Sequence, residues 1–273
     1  MTTGQAPARD RTVLAAEVTG GLGELEFHHP PGTFVLTPAS RISLEAIAGN
    51  QKLLAGVGID WGSGVGCLAI AAARIPAVAR VTGLEISPAN VSVARENARR
   101  NGVEPKISFL LSDSFSPLSE DGRYQLRALR GGVDFLLANP PSSDGDDGFE
   151  FRRIVLRGAR QFLKPGAGVF LSVSFQYGER RWARLEREIP GFRCERVLAS
   201  TDWAPFDLAR PDLLRCLRDY AAEERRGGHA YVFPDGPPAG DAWMSAEVAL
   251  ARFERTGESP LTKWQTLLYR FQR

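Results

Sequence analysis

Asn139-Pro140-Pro141-Ser142 is the stretch of this sequence best suited to hold a reacting nitrogen. Two prolines fix their own φ angles and restrict the residue before each, so the turn is rigid. A rigid turn can aim the Asn139 side-chain oxygen and the Pro140 carbonyl at one point. Two acceptors converging on an amine take its hydrogens and leave its lone pair directed at an electrophile. That is catalysis by orientation, not by a strong base.

A second stretch suits a ligand. Gly58 to Gly66 reads G-I-D-W-G-S-G-V-G, after an apolar run and before an apolar helix. Gly62, Gly64 and Gly66 allow a tight turn and close approach of the backbone to a ligand. The turn alone is ambiguous, because Gly64 to Ala69 also satisfies the G-x-G-x-x-A dinucleotide pattern. The acids around it narrow the choice. Asp60 stands just before the glycines, and a carboxylate there suits an ammonium group better than a pyrophosphate. Glu85 and Ile86, in V-T-G-L-E-I-S-P, end the next strand, where an acid can accept from both ribose hydroxyls. Asp113 and Ser114 follow the third strand, with Asp113 placed to accept from the exocyclic amine of adenine. An amino acid, a ribose and an adenine in a row describe S-adenosylmethionine (SAM).

With these motifs the sequence resembles the class I SAM-dependent methyltransferases over roughly residues 33–200. The resemblance implies a Rossmann-like seven-stranded sheet with helices on both faces and an antiparallel last strand. The corner at 139–142 is similar to that of the N-P-P-[Y/F/W] methyltransferases, which modify planar nitrogens. T-F-V-L-T-P-A-S-R, residues 33–41, resembles the segment that release-factor glutamine methyltransferases carry before the glycine motif. Ser142 departs from the pattern, because those enzymes place an aromatic ring there to stack on a flat substrate. The resemblance with this departure implies N-methylation of a small molecule oriented by Asn139 and Pro140. Some proteins similar to this group instead cyclise SAM to azetidine-2-carboxylate and methylthioadenosine. A protein or nucleic-acid acceptor is the lesser alternative.

Other residues are candidates for the same site. Tyr177 or Phe175, after the fifth strand, could lie over the sulfonium as a cation–π partner. Ser200-Thr201-Asp202-Trp203, after the sixth, could close the pocket, with Ser200 contributing a hydroxyl. His28 and His29 read as surface histidines, and Asp144, Asp146 and Asp147 as solvated loop acids without calcium-loop spacing. Arg152, Arg153, Arg157 and Arg160 recur at helical spacing and read as one solvated face. Cys67, Cys194 and Cys216 are odd in number, far apart and without a C-x-x-C pair, so a reduced, metal-free protein is expected.

The elements that must position these residues alternate between strand and helix, which predicts an α/β fold with a parallel sheet. Short apolar runs at 53–60, 79–85, 106–111, 133–138, 168–173, 193–200 and 266–271 read as its strands. Helices are expected from Pro38, at 67–75, 88–100, 151–163 and 180–188, and a polar connection at 114–131. Ser87, Pro88 and Gly102 are start and stop signals for the third of these. Residues 1–50 read as N-terminal strands and a helix, with the first dozen residues as a frayed terminus. Residues 51–201 with 265–273 read as the SAM-binding core. Residues 202–264 read as an inserted α-rich cap, too long for an unstructured loop within a domain.

The composition fits one such domain with an appendage. The chain has 273 residues, 24% charged and 43% hydrophobic, with a net charge of +2. Residues 1–150 carry 13 basic and 17 acidic side chains, and the remainder 21 and 15. That asymmetry is too mild to announce a nucleic-acid binder. No run of 18 apolar residues exists to span a membrane, and the opening M-T-T-G-Q-A-P-A-R-D lacks a signal-peptide apolar region. A cytoplasmic enzyme with a small-molecule partner is expected. The oligomeric state is not legible.

Overall fold

A computed structural model of the chain describes residues 10–142, 147–236 and 242–272. Seven strands form the main sheet: β1 Gly56–Trp61, β2 Val78–Glu85, β3 Ile107–Asp113, β4 Val133–Ala138, β5 Leu163–Ser174, β6 Phe192–Ser200 and β7 Trp264–Phe271. Their order is β3-β2-β1-β4-β5-β7-β6, and a two-residue strand, Ser116–Pro117, extends the β3 edge. That short strand is antiparallel to β3; among the seven, all neighbours run parallel except β7, which is antiparallel to both β5 and β6. The order reverses between β1 and β4. Chains leaving those two strands diverge to opposite faces and open a crevice at their carboxyl ends.

The strand sequences explain the layering. Along β4, Leu136 and Ala138 enter one core while Phe135 and Leu137 enter the other, as the two-residue period of a strand requires. One face carries α1 Pro38–Gly49, α2 Cys67–Ala73 and α3 Pro88–Arg100. Leu25 and Phe27 of a hairpin, Arg11–Leu14 with Leu25–His28, join that core. Among the described residues regular structure starts at Arg11, inside the stretch expected to fray. Buried His29 bonds Thr12 Oγ1 through Nε2 (2.9 Å), and half-buried His28 pairs with Glu26, so neither is a free surface histidine.

The other face carries α4 Glu120–Arg127, α5 Glu150–Ala159 and α6 Glu179–Glu188. The connection at 114–131 thus holds two helical turns, started by the Ser119 cap on Gly122 N (3.0 Å). Between β6 and β7 lie α7 Pro211–Arg225 and α8 Ala246–Thr256, packed on each other. Leu217, Tyr220, Phe233 and Leu250 of this segment share the core of α5, β5 and β7. No helix among the described residues is long and apolar enough to cross a membrane.

Candidate active site

The glycine turn after β1 is built on backbone that only glycine adopts readily. Gly62, Gly64 and Gly66 have φ of 66°, 53° and 90°. At Gly66 a Cβ would also lie 2.8 Å from the Phe109 ring. Glu85, at the end of β2, holds this turn: its Oε2 accepts from Gly64 N (2.8 Å). Its Oε1 accepts from Ser87 N (2.8 Å) and Asn90 Nδ2 (3.2 Å) at the start of α3. After β3, Ser114 takes a positive φ of 53° and its hydroxyl accepts from Trp61 Nε1 (2.8 Å). Strand ends β1, β2 and β3 are thereby tied into one wall.

At the end of β4 the 139–142 corner faces the N-terminus of α1. Thr37 and Ser40 cap that helix reciprocally: Ser40 N donates to Thr37 Oγ1 (3.3 Å) and Thr37 N to Ser40 Oγ (3.2 Å). Asn139 Nδ2 donates to the same Ser40 hydroxyl (3.4 Å). That contact uses an amide hydrogen and leaves Asn139 Oδ1 without a hydrogen-bond partner among the described residues. Beneath the corner, Arg152 of α5 donates to the carbonyls of Pro140 (3.3 Å) and Pro141 (3.2 Å).

A cavity of about 690 Å³ runs along these strand ends. Gly62, Gly64, Glu85, Ile86, Asp113, Ser114, Asn139 and Pro140 all line it. Its far wall comes from residues the sequence did not single out for the site. Leu213, Cys216 and Tyr220 recur at helical spacing along α7, with Phe206 and Arg210 just before that helix. The volume falls in the range of ligand and cofactor pockets, and the wall mixes apolar side chains with polar ones. Ser63 Oγ, buried on the cavity wall, has no partner among the described residues, so the turn retains a hydroxyl for a ligand.

Six expected residues stand elsewhere. Gly66 caps α2 behind the wall. Asp60 is buried beneath the turn, with Oδ2 on Ala69 N (3.0 Å) and Oδ1 unpartnered among the described residues. Burial, aided by the Glu85 charge, pushes its carboxyl up to about 8. Tyr177 lies behind Ser142: its hydroxyl bonds Ser142 Oγ and Tyr220 Oη. Arg152 and Arg181 each sit 5.4 Å from its ring centroid, so two cations already occupy its surroundings. Ser200 is exposed, bonded to Thr201 O (3.1 Å), and pairs with Gln265 outside the cavity. Phe175 and Trp203 pack on each other (4.8 Å) and on Lys263, away from the cavity.

The arginines of α5 are not one solvated face. Arg152 is 3% exposed. Arg153 forks onto Asp147 (2.7 Å through Nη1) and reaches Glu188 (2.7 Å). Asp147 is correspondingly buried, not solvated, and Arg153 draws its proton affinity below the ordinary aspartate range despite burial. Asp144 and Asp146 lie outside the described residues. The signal for Arg152 was present: with Val155, Leu156 and Ala159 it completes an i, i+3, i+4, i+7 buried stripe.

The strand order, the antiparallel β7 and the cavity at the switch point define a class I SAM-dependent methyltransferase. Residues 24–181 match the methyltransferase small domain family, and the chain belongs to it. It is 29% identical over 222 residues to the release factor glutamine methyltransferase of Moorella thermoacetica, covering 73% of this chain and 71% of that protein. It is 42% identical over 103 residues to the ribosomal protein L11 methyltransferase of Dechloromonas aromatica, covering 38% and 30%. The chain spans less than half of the release factor glutamine methyltransferases of Cereibacter sphaeroides and Geobacter sulfurreducens that it also matches. A methyltransferase from Pyrococcus furiosus shares the fold, with a TM-score of 0.50 at 17% identity, covering 91% and 89%. The protein is a SAM-dependent methyltransferase, and SAM is its cosubstrate.

Proposed function

We propose that the enzyme methylates the nitrogen of a small acceptor held between the Asn139 corner and α7. The carrying observation is that one cavity joins the Glu85–Asp113 wall, the corner and the α7 face. Glu85 and Asp113 would hold the ribose and adenine of SAM, and the turn at 62–64 its amino-acid end. SAM supplies an electrophilic methyl group when bound. Asn139 Oδ1 and the Pro140 carbonyl accept the acceptor's N–H hydrogens and turn its lone pair inward. As the N–C bond forms the S–C bond breaks, S-adenosylhomocysteine is left, and the nitrogen loses a proton to water. Ser142 supports a small, non-stacking acceptor. Its hydroxyl is engaged with Tyr177 and Tyr220 where an aromatic ring would otherwise stand.

A second reading, a glutamine side chain of a protein, is favoured by the Moorella relative. One experiment separates the readings. Purified protein is incubated with SAM alone, with pooled small amines, or with a glutamine-bearing peptide, and products are read by mass spectrometry beside an Asn139→Ala control. A methylated small amine absent from the control supports the proposal. A methylated peptide glutamine replaces it with the second reading. Methylthioadenosine with equimolar azetidine-2-carboxylate from SAM alone replaces methyl transfer by cyclisation.

A further inference from the structure

We infer that the acceptor end of the cavity recognises an α-amino acid, with Arg152 as the cation that takes its carboxylate. This rests on the nitrogen-acceptor reading above. Arg152 is buried on the cavity wall. Its Nε donates to Ser172 O (3.1 Å), its Nη1 to Pro141 O and Gly148 O (3.2 Å each), and its Nη2 to Pro140 O (3.3 Å). A guanidinium has five N–H donors. One Nη2 hydrogen is therefore left without a partner among the described residues.

All four acceptors are neutral carbonyls. Among the described residues, Asp147 is the carboxylate whose charge bears on Arg152, and its oxygens are held by Arg153 (2.7 Å) and by Phe149 N (3.1 Å). A buried cation bonded only to neutral groups is stabilised by an incoming anion. The surrounding wall favours one. Ser142 and Tyr220 bring hydroxyls to it, and burial keeps the Tyr220 phenol neutral and able to donate. The lining acids among the described residues, Glu85 and Asp113, stand at the ends of β2 and β3, on the far side of β1.

The spacing selects the α-amino acid. Pro140 O gives one lone pair to Arg152 Nη2 and keeps the other for the acceptor nitrogen. A nitrogen on that oxygen and a carboxylate oxygen on the bonded Nη2 would be anchored to atoms 3.3 Å apart. An N–Cα–C–O chain spans that gap, whereas a carboxylate many bonds from the amine does not fit it.

The test is calorimetric titration of the protein saturated with S-adenosylhomocysteine. Probes are the unmodified proteinogenic amino acids and, for any that binds, its carboxamide. At least one amino acid is expected to bind, its amide at least ~10-fold more weakly. Arg152→Lys should bring the acid to the level of the amide while leaving S-adenosylhomocysteine affinity unchanged. The wild-type comparison of acid with amide stands even if the variant fails to fold. Equal binding of acid and amide, or no binding by any amino acid, overturns the inference. An equal loss of S-adenosylhomocysteine affinity in Arg152→Lys also overturns it, because Arg152 would then grip the cosubstrate's own carboxylate. The two proposals fail separately. An amino acid that binds through Arg152 but is not methylated sinks only the reaction. A methylated amine without a carboxylate sinks only the recognition.

Discussion

Asn139 is fixed by its partner more than by its own chemistry. Ser40 takes one amide hydrogen, and the oxygen, without a partner among the described residues, is left for substrate. Asn139→Ala should lower turnover about 100-fold or more, the scale of a lost orienting contact, while SAM affinity by calorimetry stays within about threefold. Unchanged turnover would remove the corner from the reaction. Asp60 makes a different prediction. Its folded carboxyl titrates near 8, against roughly 3.9 in an unfolded chain. Between those values the unfolded state binds fewer protons than the folded one. Its contribution to stability therefore falls as pH rises through that window. Asp60→Asn should flatten this slope, so that the urea midpoint drops less from pH 5 to pH 8 than in the wild type. Parallel drops in both proteins would clear Asp60 as the cause.

Elements whose ends carry capping chemistry were the legible ones. α3 runs from Pro88 to Arg100 as expected, because Ser87 Oγ accepts from Asn90 N (3.3 Å) and Gly102 takes a φ of 68°. β4 matches because six consecutive residues with two-faced burial admit little else. β5 begins at Leu163, five residues before the expected start, because α5 stops at Ala159 and leaves Lys164–Gly166 free to extend the strand. Arg152 was illegible to a rule that counts charge as solvated, since its partners are carbonyls from three other segments. Tyr220 was illegible because its role depends on how α7 folds back over the corner. Two positive-φ glycines, one at the start of α2 and one after α3, should behave differently. Gly66→Ala meets the Phe109 ring as well as backbone strain, whereas Gly102→Ala enters open space. Chemical denaturation should show a loss of about 1–2 kcal/mol for Gly102→Ala from strain alone and a larger loss for Gly66→Ala. Equal losses would mean that the ring moves aside freely.

At the scale of the molecule, the segment between β6 and β7 is a structural part of the core and a wall of the cavity. Leu217 and Ala221 are fully buried on α7, one turn apart, while Leu213, Cys216 and Tyr220 line the cavity from the same helix. Tyr220 stacks on Tyr231 at 4.0 Å, and Tyr231 lies under the Arg181 guanidinium at 4.5 Å, which binds the segment to α6. A helix packed this way cannot leave without exposing the sheet. Removing core volume in α7 should therefore destabilise the whole protein, not one lobe. Leu217→Ala should lower unfolding free energy by about 2–5 kcal/mol, the usual range for a fully buried leucine. Its far-ultraviolet dichroism and tryptophan fluorescence should still report one coincident transition. Two separated transitions, with α7 and α8 melting first, would instead make the segment a lid that opens on its own. SAM entry would then depend on that opening, and not on the mouth of a fixed cavity.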